Sequence, residues 1–458
     1  MKHTFCMLLI LAAASFSSAS DWPGFRGPFG NGVSPEKTLP LKWGPDENIA
    51  WKVKLPGPGA SSPVVWQDQV FVTCFTGKKA AELVRYVLAF DRKTGKERWR
   101  KEFPAPLPEN DYQGQILQHG LATSTPVTDG KRLFVYFGRG GVHAFDLDGK
   151  HLWHEDLGDA INVFGSGSSP ILWRDRLIVN AVPECRCLVS LDQATGKIAW
   201  KTVVNGLCWS MPIIVDVPAA SPPLTKGGQG GVDPVPKGKQ AGAPPLTKGG
   251  QTGAPPITKG GQGGVARQEI VLNATAGMYG YDPEKGTELW SVDNVAGYNG
   301  TTPVVRNGIV YAMNQGLGDK EFLAVRVGGQ GDVNKSHIVW SQNKAGAPYC
   351  SPLLVGDRLF YFSGQAVALN IADGKVITQK RLDGIDRLYG SPIAAGDKIL
   401  LFTRNRGAYV LSADDKLDVL AHNDLGDASA INASPALVDG QIFIRSNQYL
   451  YCIGKGKE

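Results

Sequence analysis

The chain has 458 residues, 42% hydrophobic and 20% charged, which fits a large folded body and excludes wholesale disorder or a membrane bundle. Its formal charge of +6 is concentrated outside that body: Lys2 lies in the apolar N-terminus, and residues 218–266 carry five lysines against Asp233 alone. The remainder is close to neutral without a basic run, so it lacks the electrostatic footprint of a nucleic-acid binder.

Residues 1–20 combine an early lysine, an apolar stretch from Met7 to Ala14, and small Ser18, Ala19 and Ser20. This predicts a cleaved signal peptide, too short for a stable bilayer anchor, and hence a periplasmic or secreted protein with no transmembrane segment after cleavage. Residues 21–47 are expected as an extended N-terminal segment. The six cysteines beyond the leader are too few for a disulfide scaffold. Cys185 and Cys187 are expected to share one strand face as two packed thiols, and no metal site is predicted.

Repetition organises the rest. A small or polar residue, proline and an apolar run recur from Ser62-Pro63 and Thr125-Pro126 through Ser169-Pro170, Met211-Pro212, Thr302-Pro303, Ser351-Pro352 and Ser391-Pro392 to Ser434-Pro435. Most intervals lie between 40 and 49 residues, but Pro212 to Pro303 spans 91. Within that gap, residues 218–266 hold 22 Gly and Pro in 49 positions and repeat Pro-Pro-Leu-Thr-Lys-Gly-Gly-Gln. Such a segment buries too little apolar surface to offset the entropy of ordering, and reads as a disordered low-complexity insertion within the fourth unit.

Each unit reads as short strands of about five residues separated by turns. The third strand ends in a hairpin, Asp91-Arg-Lys-Thr-Gly95 and then Trp99, repeated at Asp192 to Trp200 and Asp282 to Trp290. Aspartate and threonine bond back to the turn backbone, and glycine supplies the positive φ. Trp99, Trp153, Trp200, Trp290 and Trp340 close five units as packing residues between neighbouring sheets. The last unit lacks a fourth strand, whereas the Trp51 segment is a fourth strand without a unit. Pairing the two gives an all-β, eight-bladed propeller of four-stranded antiparallel blades over residues 48–458, closed by its own N-terminal strand.

The Ser-Pro strand and the Ala89 to Trp99 hairpin, recurring in register, resemble the tryptophan-docked propellers of the pyrroloquinoline quinone (PQQ)-like repeat family. The resemblance implies two kinds of activity. Quinoprotein alcohol dehydrogenases of this type hold PQQ and calcium, but this chain has no adjacent cysteine pair and no complete calcium loop. BamB-like propellers are noncatalytic docking scaffolds, but the lipid-attachment cysteine is absent here.

Motifs for hydrolases, zincins, NTPases and dinucleotide enzymes are missing. His151 and His154, flanking Trp153, read as solvated imidazoles lacking a third partner. The recurring site of a propeller is the mouth of its channel, bordered by the loops before the prolines. Those loops contribute His119, Asn162, Trp209, Tyr298 and Asn299 from units two to five. Tyr349, Arg387, Tyr389 and Asn432 come from units six to eight. Aromatic faces with a few polar groups suit a flat or sugar-like ligand, and Arg387, with Arg139, Arg404 and Arg406, is a candidate for an acidic one. The expected function is a noncatalytic ligand-binding or protein-interaction scaffold for an unknown small ligand or exported protein. No catalytic residue is assigned. The alternative is a PQQ- and calcium-dependent dehydrogenase acting on alcohols or sugars.

Overall fold

The computed structural model describes residues 21–105, 109–219, 265–293, 300–315, 320–383, 385 and 388–455. The expected signal peptide and nearly all of the expected insertion lie outside the described residues. Eight sheets form the blades. In the first, Val64–Trp66 is innermost, followed outward by Gln69–Thr76, Val84–Asp91 and Glu97–Pro104. The eighth takes Ala436–Val438, Gln441–Arg445 and Tyr449–Ile453, and Ile49–Lys54 joins as its outermost strand. Lys52 faces Tyr451, and Lys54 faces Tyr449, across that antiparallel seam. The chain therefore closes its own ring.

The hairpins form as their chemistry requires. Thr94 donates from both its amide and its hydroxyl to Asp91 Oδ1, at 2.9 and 2.7 Å, and Gly95 takes φ of 70°. That glycine also makes room. A Cβ there would lie 2.8 Å from the Trp51 ring, whose Nε1 donates to Arg92 O of the same hairpin at 2.8 Å. The contact is repeated around the ring: Trp99 Nε1 donates to Leu147 O, Trp153 to Gln193 O, Trp200 to Pro283 O and Trp340 to Ile371 O.

Trp290 departs from this arrangement. It is fully buried against Gly280 of its own blade, and its Nε1 donates to Glu269 Oε2 at 2.8 Å. Blade five has no Asp-to-Gly hairpin to receive it. Its long connection instead lays Gly331–Asp332 in parallel beside Trp290 and Ser291, so blade four gains a fifth strand where four were expected.

Blade four also carries the longest inner hairpin. Ile213–Pro218 pairs with Val265–Asn273 as far as Pro218 with Val265. The pairing thus takes in both ends of the expected 218–266 segment and carries its connection away from the proline end of the blade.

The C-x-C reading is corrected. Cys185 ends a helical turn, Val182–Cys185, and Arg186 adopts a left-handed conformation before Cys187 starts its strand. The two thiols therefore do not share one strand face. All six described cysteines are free, and Cys187 Sγ donates to Cys185 O at 2.7 Å.

Candidate functional site

The repeated Ser/Thr-Pro step positions the centre of the molecule. Every pre-proline amide but that of Ser169 donates to the hydroxyl of the equivalent residue in the next blade. Ser62 N bonds Thr125 Oγ1 at 2.9 Å and Thr125 N bonds Ser169 Oγ at 3.0 Å. Further round, Thr302 N bonds Ser351 Oγ, Ser351 N bonds Ser391 Oγ, Ser391 N bonds Ser434 Oγ, and Ser434 N returns to Ser62 Oγ at 3.1 Å. Met211 breaks the ring once, since it offers Ser169 no hydroxyl, although its own amide reaches Thr302 Oγ1 at 3.4 Å. This collar fixes the channel radius with blade-to-blade bonds, each contributing about 0.5–1.5 kcal/mol.

At the far end of the channel the N-terminal segment forms a floor. Trp22 exchanges two backbone bonds with Val65, Thr128 N donates to Pro23 O, and Ala394 exchanges bonds with Gly32 and Ser34. Gly27, at φ of 80°, turns the chain over the Trp22 ring, where a Cβ would sit 2.8 Å away. Beside it Arg26 enters the wall, only 1% exposed, and donates to Asn31 O at 2.7 Å, Thr302 O at 3.4 Å and Pro352 O. Burial pulls its guanidinium down to about 10, so it remains charged.

Between floor and mouth lies a cavity of about 340 Å³. Phe25 lines its base, the collar hydroxyls its throat, and Phe164, Trp209, Tyr349 and Tyr389 its upper wall. The two tyrosines stack at 4.6 Å and 10°, and Phe164 meets Trp209 edge-on at 5.6 Å. Trp209 Nε1 donates to Gly165 O at 2.9 Å, and Tyr389 Oη bonds Gln118 Oε1. His119 Nδ1 meets Thr123 Oγ1 at 3.0 Å, and burial pulls its imidazole down to about 4. Asn432, 7% exposed, keeps its buried Oδ1 without a partner among the described residues.

The profile of the family described as outer membrane protein assembly factor BamB, a PQQ-like repeat family, matches residues 83–221 and 233–457. The chain belongs to that family. The crystal structure of BamB from Moraxella catarrhalis is 12% identical, covers 89% of this chain and 99% of its own, and gives a TM-score of 0.55. A computationally designed protein, Ika8, is 10% identical over 89% of this chain and 100% of its own, at 0.53. A quinohemoprotein alcohol dehydrogenase from Comamonas testosteroni is 12% identical over 96% and 81%, at 0.48. No curated protein matches the chain. At such identities the solved structures establish the fold of this BamB-family member and nothing finer.

Of the residues expected at the mouth of this BamB-family propeller, His119, Trp209, Tyr349, Tyr389 and Asn432 line the axial cavity. Asn162 does not. Its Oδ1 caps its own turn by accepting Phe164 N at 2.9 Å, and the residue borders a small side cavity between blades two and three. Tyr298, Asn299 and Arg387 lie outside the described residues. Arg139 borders the side cavity with Asn162, whereas Arg404 lies over the Tyr389 ring at 4.9 Å. Arg406 donates its amide to Thr403 Oγ1 at 2.9 Å and accepts His422 Nε2 on its carbonyl at 2.7 Å. Sequence reasoning missed Phe25, Gln118 and Phe164. Phe25 had a signal in the Trp-Pro-Gly-Phe-Arg opening, although nothing in it marks contact with the channel.

A third imidazole lies beside His151 and His154. His143, from the adjacent strand, places Nδ1 3.2 Å from His151 Nε2 and stacks on His154 at 4.3 Å. Among the described residues no group of three or more His, Cys, Asp or Glu has a geometry suited to a metal ion. In the axial cavity, PQQ with calcium would need anionic oxygen ligands. Among the described residues its lining contains neither Asp nor Glu and no cysteine. These residues do not supply the anionic oxygen ligands that calcium requires, so they do not fit that pair.

Proposed function

We propose that this chain is an exported, noncatalytic binding protein whose blind axial pocket holds the flat part of a small ligand. The observation that supports this reading most is the pocket wall, where Trp209 and the Tyr349–Tyr389 stack face a cavity floored by Phe25. Ring stacking contributes about 0.5–1.5 kcal/mol per pair beyond burial. Displacing water from an enclosed apolar surface adds more. Burial makes His119 a weak base, and among the described residues the lining holds no carboxylate to take its place, which favours binding over catalysis.

The test is titration with an uncharged planar probe, naphthamide, of the full chain and of Trp209→Ala and Tyr389→Ala. Affinity should fall about tenfold in each variant while the melting temperature moves little. Unaltered affinity together with a collapse of stability would make these rings packing elements. Dye reduction with alcohols after addition of PQQ and calcium would restore the dehydrogenase alternative. A second reading, docking of an exported protein over the same mouth, is favoured by the exposure there of Leu117, Ile161 and Val163, at 47%, 53% and 68%.

A further inference from the structure

The collar leaves a set of hydrogens to be placed. A serine or threonine hydroxyl has one donor and two acceptor positions. Every collar oxygen already accepts an amide from the preceding blade, so its own O–H is the remaining group. Hydroxyls one residue earlier do find acceptors: Ser61 donates to Thr73 O, Ser124 to Ser168 O and Ser168 to Ser210 O. For Ser62, Thr125, Ser169, Thr302, Ser391 and Ser434, no acceptor lies within reach among the described residues. All six line the axial cavity and are at most 5% exposed. The throat is therefore ringed with O–H donors, each polarised by the amide it accepts.

Charge around the throat has the matching sign. Arg26 donates to Thr302 O and Pro352 O immediately behind the wall. Arg445, fully buried where blade eight meets blade one, donates to Thr73 O at 2.5 Å and Gly57 O at 3.3 Å. Neither guanidinium has a carboxylate partner among the described residues, and the cavity lining has no acid to cancel them. A buried cation left without a counter-charge raises the potential around it, and Arg26 is tied to the cavity wall through Thr302 O.

We infer that the throat is an oxyanion subsite, which takes a carboxylate-type group at the buried end of a ligand whose flat body lies against Trp209 and Tyr389. This rests on the axial-pocket reading and adds the chemistry of its deep end. A small free anion carries the same group, so probe size separates the two sources.

The experiment is calorimetric titration of the exported full chain with naphthoate, naphthamide and acetate. Naphthoate should bind at least tenfold tighter than naphthamide and far tighter than acetate. Naphthamide binding as well as naphthoate overturns the oxyanion subsite and leaves the pocket reading intact, whereas failure of both aromatic probes overturns the two together. Acetate binding as tightly as naphthoate supports the subsite and makes a free anion its occupant. Thr302→Val and Ser391→Ala, checked for melting temperature, should each weaken naphthoate about tenfold and naphthamide by clearly less. The comparison of probes on the unaltered chain stands even if a variant fails to fold.

Discussion

His143 shows how far one side chain can tie this fold to pH. Its ring is 7% exposed, lies 4.4 Å from Phe103, and is flanked by His151 and His154. Arg85, paired with Glu109, shares that seam, and Asp156 lies 3.2 Å from His154 on the outer side. Burial first, then the two neighbouring imidazoles, pull His143 down to about 3 from 6.5. A folded value below the unfolded one means that the neutral ring stabilises the native state above pH 6.5, and that this stability drains away as pH falls toward 3. Roughly 2 kcal/mol should be gone by about pH 5. Calorimetric unfolding of His143→Leu should show a shallower fall over that range than the parent, and parallel curves would refute the assignment. Sequence spacing placed His151 and His154 side by side but not His143, because their meeting depends on the register of two strands, with His143 opposite His154.

At the scale of elements, the Ser/Thr-Pro steps were legible because one physical need recurs in every blade, an acceptor for the neighbour's amide. The same reasoning explains why Met211 could stand in the series as a member and still interrupt the collar. Ser351 offers the cleanest test, since it accepts Thr302 N at 3.0 Å, is 1% exposed and does not line the cavity. Ser351→Ala should lose about 1–3 kcal/mol in denaturant unfolding, the cost of a buried amide left unpaired, while probe affinity is unchanged. Loss of binding with no loss of stability would contradict this role. Elements with no repeated need were misread. Asn162 sat at the expected distance before its proline, but an Asx turn directs it elsewhere, and the helical turn at Val182–Cys185 has no counterpart in the other blades from which to infer it.

For the whole molecule the decisive contact is the seam between Ile49–Lys54 and Tyr449–Ile453. It joins segments some 400 positions apart, and cross-linking it constrains the unfolded chain across nearly its full length. Lys54→Cys with Tyr449→Cys, whose backbones are directly paired, should raise stability by up to about 5 kcal/mol when oxidised and lose the gain on reduction. Melting curves with and without reductant would read this directly, and identical curves would show that the seam is already open or fixed. The closure was legible from a missing strand at one end and a spare one at the other. The floor was not, because Arg26 reaches Thr302 and Pro352 across more than 270 positions and no pattern links them.

On the binding role proposed above, that floor leaves the axial pocket, as the described residues form it, with one doorway. Whatever enters must back out along the same route, so traffic from one face of the ring to the other is barred, and a long polymer would be gripped by its tip while the remainder trailed in solvent. Residence time is then governed by the rim residues that an outgoing guest brushes past, which makes them the natural targets for tuning how long it stays.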